Sequence, residues 1–251
     1  MRRVILLLTM MAATLVVASG VALAVNKIGT NGPDTLRGTN GDDNLIGRGG
    51  NDNLFGKGGS DNLLGEEGKD WVLGGNERRL QGGGDKNLLG GPGNDGVLGG
   101  LGADNALGGS GNDFVHGDNG SDSVLGGDGR DKVDGWTGSD RLLGGGGGDF
   151  LVEGPLNEGS KDTLSGGDGN DIILTGHVPA VKDLLSCGSG FDRVLADRKD
   201  VVAGDCERVR VVHGSEEEVY EQEDAFFESL PPAQLEFFDT FDKQLAPYPA
   251  G

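Results

Sequence analysis

Three consecutive stretches decide the fold: Gly90-Gly91-Pro92-Gly93-Asn94-Asp95-Gly96-Val97-Leu98, Gly99-Gly100-Leu101-Gly102-Ala103-Asp104-Asn105-Ala106-Leu107 and Gly108-Gly109-Ser110-Gly111-Asn112-Asp113-Phe114-Val115-His116. They share one nine-residue template, G-G-x-G-x-D-x-U-x, with U apolar. The phase extends both ways. The sixth position holds Asp34, Asp43, Asp52, Asp61 and Asp70, then Asp95, Asp104, Asp113, Asp122, Asp131, Asp140 and Asp149, and after an insertion Asp162 and Asp171. The eighth holds Leu36, Leu45, Leu54, Leu63, Val72, Leu80, Leu88, Val97, Ala106, Val115, Val124, Val133, Leu142 and Leu151.

Each template position has a physical reason. Gly admits the positive φ and close backbone approach of tight turns. The D-x-U-x stretch is short and extended, with U on one face. So short a strand cannot bury its U side chain alone, whereas stacked coils place each U above the next. Two repeats make one flattened eighteen-residue coil with two opposed strands. Leu36, Leu54 and Val72 then line one inner face, and Leu45 and Leu63 the other. The expected fold is all-β: a parallel β-roll, or β-solenoid, of stacked coils.

Composition agrees. Gly supplies 51 of 251 residues, while aromatics are 5% and apolar residues 35%, too few large side chains for a conventional core. Collagen is excluded, because Gly does not recur every third residue and Pro is only 8. A net charge of −20 disfavours binding to nucleic acid. The bland reading of the Asp residues is that they only form turns. Turn chemistry, however, does not demand Asp at one fixed phase.

The repeat resembles the RTX, or hemolysin-type, calcium-binding nonapeptide, over roughly residues 32–203. The resemblance implies calcium held in the turns by backbone carbonyls of the Gly-rich segments and by the sixth-position carboxylates, Asp34 through Asp171 as named above. A hard cation wanting six or more oxygens suits such a donor set. At about N − 2 sites per run of N repeats, the resemblance implies roughly eight or more ions in all. Calcium would also neutralise a ladder of acids that otherwise repels itself.

The repeat breaks in places. From Val72 to Leu80 and from Leu80 to Leu88 the spacing is eight, and Arg78 and Lys86 take the sixth positions beside Glu77 and Asp85. This coil is expected to have lost calcium, with the basic groups neutralising nearby carboxylates. Glu153–Glu158 inserts four residues, and a longer insertion is read around His177-Val178-Pro179. Both are expected to bulge without breaking the inner stack. Asp183, Asp192 and Asp200 keep phase with Leu185, Val194 and Val202 while glycines thin out, so calcium is not assigned there. Cys187 and Cys206 lie 19 residues apart, close to one coil. Stacked strands are about 4.8 Å apart, within disulfide reach, so a Cys187–Cys206 staple is expected.

The ends differ from the repeat. Met1-Arg2-Arg3 opens an apolar run to Ala24, and Ala22-Leu23-Ala24 is a small-x-small cleavage site. Residues 1–24 read as a signal peptide, with a membrane anchor as the rival; 25–31 form a short lead. No later segment is apolar enough to span a bilayer. The expected location is therefore secreted and extracellular, where calcium and disulfides both belong. The roll proper is assigned to 32–174 and a degenerate, stapled end to 175–213. Residues 214–251 form an acidic, aromatic tail. Ser215-Glu216-Glu217-Glu218 reads as a helix start with a capping box, and Leu235, Phe238, Phe241 and Leu245 fall near one helical face. The tail would either dock on the last coil, hiding its strand edge, or stay disordered and bind a partner.

Ninth-position residues Ile46, Phe55, Leu64, Leu73, Leu89, Leu98, Leu107, Leu125, Leu143 and Val152 should face outward as an apolar row, a candidate contact surface. Catalysis is not expected: His occurs only at 116, 177 and 213, without H-E-x-x-H or G-x-S-x-G. The expectation is a calcium-dependent structural or interaction module. Self-association, adhesion, and a cell-surface or matrix partner remain open. Ice binding fails because the row begun by Thr30-Asn31 and Thr39-Asn40 does not continue.

Overall fold

A computed structural model describes residues 24–75, 84–85, 87–155, 159–176 and 179–232. The leader at 1–23, Glu77, Arg78, Leu80, Lys86, His177, Val178 and the apolar face from Leu235 to Leu245 lie outside the described residues.

The chain winds into a parallel β-roll of two ten-stranded sheets. Successive strands alternate between them, so one sheet collects the odd-numbered strands, from Asn26–Ile28 to Val201–Val202, and the other the even-numbered ones, from Thr35–Arg37 to Arg208–Val211. Every pairing is parallel with like template positions opposite. Val115, for example, lies between Val97 and Val133, and Val124 between Ala106 and Leu142. The eighth-position side chains form one continuous buried core from Leu45 to Val194, closed by Leu36 and Val202 at its ends. The interior holds one small apolar residue per strand, and strand alternation delivers it there.

The second position of most repeats turns with positive φ, as at Gly109 (φ 129°), where a Cβ would also collide with the Gly91 carbonyl oxygen one coil back. The chain nevertheless places Arg48, Lys57, Glu66, Asp118 and Trp136 there, at φ between 70° and 85°. These side chains accept left-handed backbone because the neighbouring coils dictate it.

Three expectations need correction. Leu88 pairs with Leu63 on the odd sheet and Val97 with Val72 on the even sheet. Val72 and Leu88 are thus successive rungs, and the irregular segment is one extended half-coil rather than a full coil lacking two residues. The insertion near His177 is the shorter of the two: Leu164 pairs with Leu185 across 21 residues, whereas Leu142 pairs with Leu164 across 22. Neither insertion interrupts the register. The outward apolar row divides between opposite faces, with Ile46, Leu64, Leu89, Leu107, Leu125 and Leu143 on the odd sheet and Phe55, Leu73, Leu98 and Val152 on the even one.

The described part of the tail, to residue 232, sits on a sheet face rather than on the final edge. Helix α1 (Glu216–Phe227) starts where expected, with the Ser215 N–H donating to the Glu218 carboxylate at 2.7 Å. Val219 and Phe226, with Leu230 just past the helix end, pack on Phe150, Ile172, Leu174 and Leu195, on the outer face of the even sheet. On the last strand Val209 is 43% exposed. Apolar area on the sheet face rewards docking more than a bare edge does. Cys187 and Cys206 are disulfide-bonded across Cα atoms 5.2 Å apart.

Because the core is one residue deep, each rung matters. Leu142→Ala, which empties a position 1% exposed, should cost about 2–5 kcal/mol in urea unfolding at saturating calcium. An unchanged midpoint would mean the rungs do not pack.

Candidate metal centre

The sixth-position carboxylates stack along the two edges of the roll. On one edge the Asp34 N–H donates to Asp52 Oδ1 at 2.7 Å, Asp52 to Asp70, Asp70 to Asp95, Asp95 to Asp113, Asp113 to Asp131, Asp131 to Asp149, Asp149 to Asp171 and Asp171 to Asp192. The other edge runs in the same way through Asp43, Asp61, Asp85, Asp104, Asp122, Asp140, Asp162, Asp183 and Asp200. All fourteen sequence-derived positions belong to these ladders.

Each such hydrogen bond uses only Oδ1. The Oδ2 atoms of Asp52, Asp70, Asp95, Asp104, Asp113, Asp122, Asp131, Asp149, Asp171 and Asp192 are buried with no hydrogen-bond partner. Orphaned buried acceptors are rare, and orphaned charges rarer. A second feature converges on the same place. A Cβ built on first-position Gly108 would lie 2.6 Å from Asp113 Oδ2 and 2.6 Å from the Gly126 carbonyl oxygen. Gly90, Gly126 and Gly144 repeat this with Asp95, Asp131 and Asp149. Each turn therefore aims a carboxylate oxygen and a carbonyl oxygen into space that only a glycine leaves clear. This oxygen-only cradle fits a hard divalent cation.

Electrostatics points the same way. Burial pushes the carboxyl of Asp113 up to about 6, those of Asp70, Asp95, Asp149 and Asp171 up to about 7, and those of Asp122 and Asp131 up to about 8. The ladder hydrogen bond opposes each rise. At Asp70, Asp122, Asp131 and Asp171 neighbouring carboxylates add to it.

The cradles are not uniform. Asp34 Oδ2 accepts from the Thr30 N–H at 2.6 Å and hydroxyl at 2.9 Å, and Asp43 Oδ2 accepts from the Thr39 N–H at 2.5 Å. In these two turns Thr supplies a hydrogen-bond partner for Oδ2. The ladder position that a fixed period assigns to residue 86 is taken by Asp85, which accepts from Asp61 and donates to Asp104. A lysine has no acceptor to offer the ladder. One extra residue before Leu88 hid Asp85 from a fixed-period reading. Glu207, which accepts from the Asp192 N–H at 2.9 Å, was missed because an acid one methylene longer ends the ladder.

Glu153 was read only as the start of an insertion. It stands in the first position, where Gly usually lies, and is 1% exposed. Ligand oxygens of Glu153, Asp162 and Asp183 come within 4.8 Å of one another, a cluster able to hold a metal ion. Asp183, Asp197 and Asp200 form another. Asp200 also accepts the Thr175 hydroxyl, and Asp197 accepts the Val181 N–H.

A family model described as RTX calcium-binding nonapeptide repeat (4 copies) matches residues 28–63, 46–78, 80–115, 89–124, 116–151 and 158–176, together more than half of the chain. No curated protein matches it. Fold and family are those of a calcium-binding structural repeat, not of a catalytic domain. No helix among the described residues is long and apolar enough to cross a membrane.

The raised carboxyls set a pH dependence. Their folded values, about 6 to 8, lie above the ordinary 3.8, so the folded state binds the extra protons. Their contribution to stability is complete below the ordinary value and is lost as pH rises through the folded ones. In calcium-free buffer, circular dichroism should show β structure gained on acidification from pH 8 toward 5. With calcium present, the midpoint concentration for folding should rise over the same interval, because protons compete for the same oxygens. A pH-independent midpoint would contradict this.

Proposed function

The chain belongs to the RTX calcium-binding nonapeptide repeat family, and from that premise we propose that it is a secreted β-roll protein whose folding is driven by extracellular calcium. The carrying observation is the row of buried Oδ2 atoms without hydrogen-bond partners. The proposed ligands are Asp52, Asp61, Asp70, Asp95, Asp104, Asp113, Asp122, Asp131, Asp140, Asp149, Asp162 and Asp171, with carbonyls of the first-position residues. Asp34 and Asp43 would join only by releasing Thr30 and Thr39. The proposed total remains roughly eight or more ions. Bound calcium supplies positive charge and coordination. The chain's own residues supply the spacing, because the ladder holds each carboxylate one coil from the next. In the unfolded chain these acids are far apart, so cation binding free energy becomes folding free energy.

The secreted setting is supported by the leader motif ending at Ala24 and by the Cys187–Cys206 disulfide, which an oxidising compartment permits. On the chain beginning at Val25, circular dichroism should report a largely unfolded protein in chelator at pH 8 and β structure in millimolar calcium. Asp113→Asn with Asp131→Asn should keep the Oδ1 acceptors yet raise the calcium midpoint. Identical ordered spectra with and without calcium would refute the reading.

A second reading, an interaction or adhesion module, is favoured by the odd sheet's outer face. Ile28, Ile46, Leu64, Leu89, Leu107, Leu125 and Leu143 run along it, partly or fully exposed. Beside them Asn62 donates to Asn44 at 2.8 Å and Asn87 to Asn62 at 3.1 Å. From Asn87 through Gly127 the outward positions of this sheet carry no charge, in a chain of net charge −20. An uncharged, repetitive strip is where a second copy or a matrix surface meets least repulsion. Sedimentation in calcium tests self-association: Leu107→Lys with Leu125→Lys should shift any dimer to monomer. Monomer for both proteins would leave adhesion to another surface as the role of this face.

A further inference from the structure

Helix α1 covers only part of the even sheet. Midway along it Gln222 donates to the His213 carbonyl at 2.8 Å, and its last residue, Phe227, meets Phe150 with ring centroids 6.1 Å apart. Phe150 lies three strands back from the final strand of that sheet. The chain has therefore reversed and travels along the outer face toward earlier coils. Twelve helical residues reach about 18 Å, enough for those three spacings of about 4.8 Å.

The same face continues ahead of the helix. Phe114 packs against the edge of the helix cluster. Beyond it Leu98, Leu73, Trp71 and Phe55 are partly exposed. Trp71 lies flat over Gly96, where a Cβ would meet its ring. Cations border the strip: the Arg37 guanidinium sits 4.4 Å from the Phe55 centroid and the Lys132 ammonium 5.5 Å from that of Phe114.

The chain leaving α1 has matching chemistry. Leu235, Phe238, Phe241 and Leu245 recur at the spacing of one helical face, interleaved with Glu236, Asp239 and Asp242. Phe150 and Phe55 are five strand spacings apart on this sheet, about 24 Å. Residues 233–246 would span about 21 Å as a helix, and the five residues from Pro247 to Gly251, which the prolines keep out of a helix, add up to about 16 Å extended.

We propose that the N-terminal half of the even sheet's outer face, from Phe114 to Phe55, is a docking site for this chain's own residues 233–251. The segment continues the path of α1, sets its apolar face on Phe114, Leu98, Trp71 and Phe55, and brings its acids toward Arg37 and Lys132. The odd sheet is then the face left for other partners.

Trp71 and Trp136 are the only tryptophans, so Trp136→Phe makes Trp71 a single reporter on this face. In the full chain in calcium, with circular dichroism confirming the roll, Leu235→Ser, Phe238→Ser, Phe241→Ser and Leu245→Ser together should shift Trp71 emission to longer wavelength and increase its quenching by acrylamide. The milder Phe238→Asp should do so in part, which guards against a misfolded quadruple variant. The protection in the parent should not change on dilution. Trp71 indifferent to both variants overturns the proposal. Protection that disappears on dilution together with a dimer in sedimentation also overturns it, and assigns the face to a second copy. A chain that folds without calcium would refute the calcium reading and leave this test intact.

Discussion

The structure depends on one hydrogen bond, repeated: the amide of a sixth-position Asp donating to Oδ1 of the Asp one coil ahead. It ties backbone to side chain across the stacking direction, at the point where the chain leaves a turn and enters a strand. Residues directly after it, such as Asn53 and Phe114, donate to the carbonyl of the Asp one coil back. Each Asp thus locks the register of the strand that follows. The length of the turn before it can then vary, which is why insertions near residues 155 and 178 leave Leu142, Leu164 and Leu185 aligned.

The same bond creates the chemistry. A carboxylate has two oxygens, and the ladder consumes one. Coil spacing and first-position glycines enclose the other, together with a carbonyl oxygen, away from water. An Asn could supply the Oδ1 acceptor, as Asn94 and Asn112 do one residue earlier, but only a carboxylate adds a second acceptor oxygen, and charged side chains cannot be buried in a row without compensation. Protons would supply that compensation at low pH and, on the proposed reading, calcium at high pH. Thr30 and Thr39 soften the cost by hydrogen bonding at the N-terminal coils.

Much of this was legible in the sequence. A strict nine-residue phase specifies the strands, the inner faces and the acids together, since one misplaced residue would turn a Leu outward and an Asp off its ladder. What escaped was what a strict phase conceals. Asp85 sits one residue early, and only the ladder shows that it is in line. Glu153 and Glu207 play template roles with non-template side chains. The ninth-position residues read as one row in sequence, although the eighteen-residue coil that puts Leu54 and Leu63 on opposite inner faces also sends Phe55 and Leu64 to opposite outer ones. The seat of α1 was hidden for another reason: it depends on Phe150, Ile172, Leu174 and Leu195, which are close only after coiling.

That seat separates the two outer faces. The even sheet carries the large side chains, Phe55, Trp71, Phe114, Trp136 and Phe150, with cations and His116 among them. His116 lies between Asp118 at 3.2 Å and Asp134 at 3.5 Å, and its pKa is raised to about 9: burial disfavours the charged form, and the two carboxylates outweigh it. This face is uneven and charged, suited to a specific helix. The odd sheet repeats Asn, Leu and Gly with little relief, suited to an extended or repeating surface. A roll has two broad faces by construction. Here the chain's own tail engages one, and the repeat alone shapes the other.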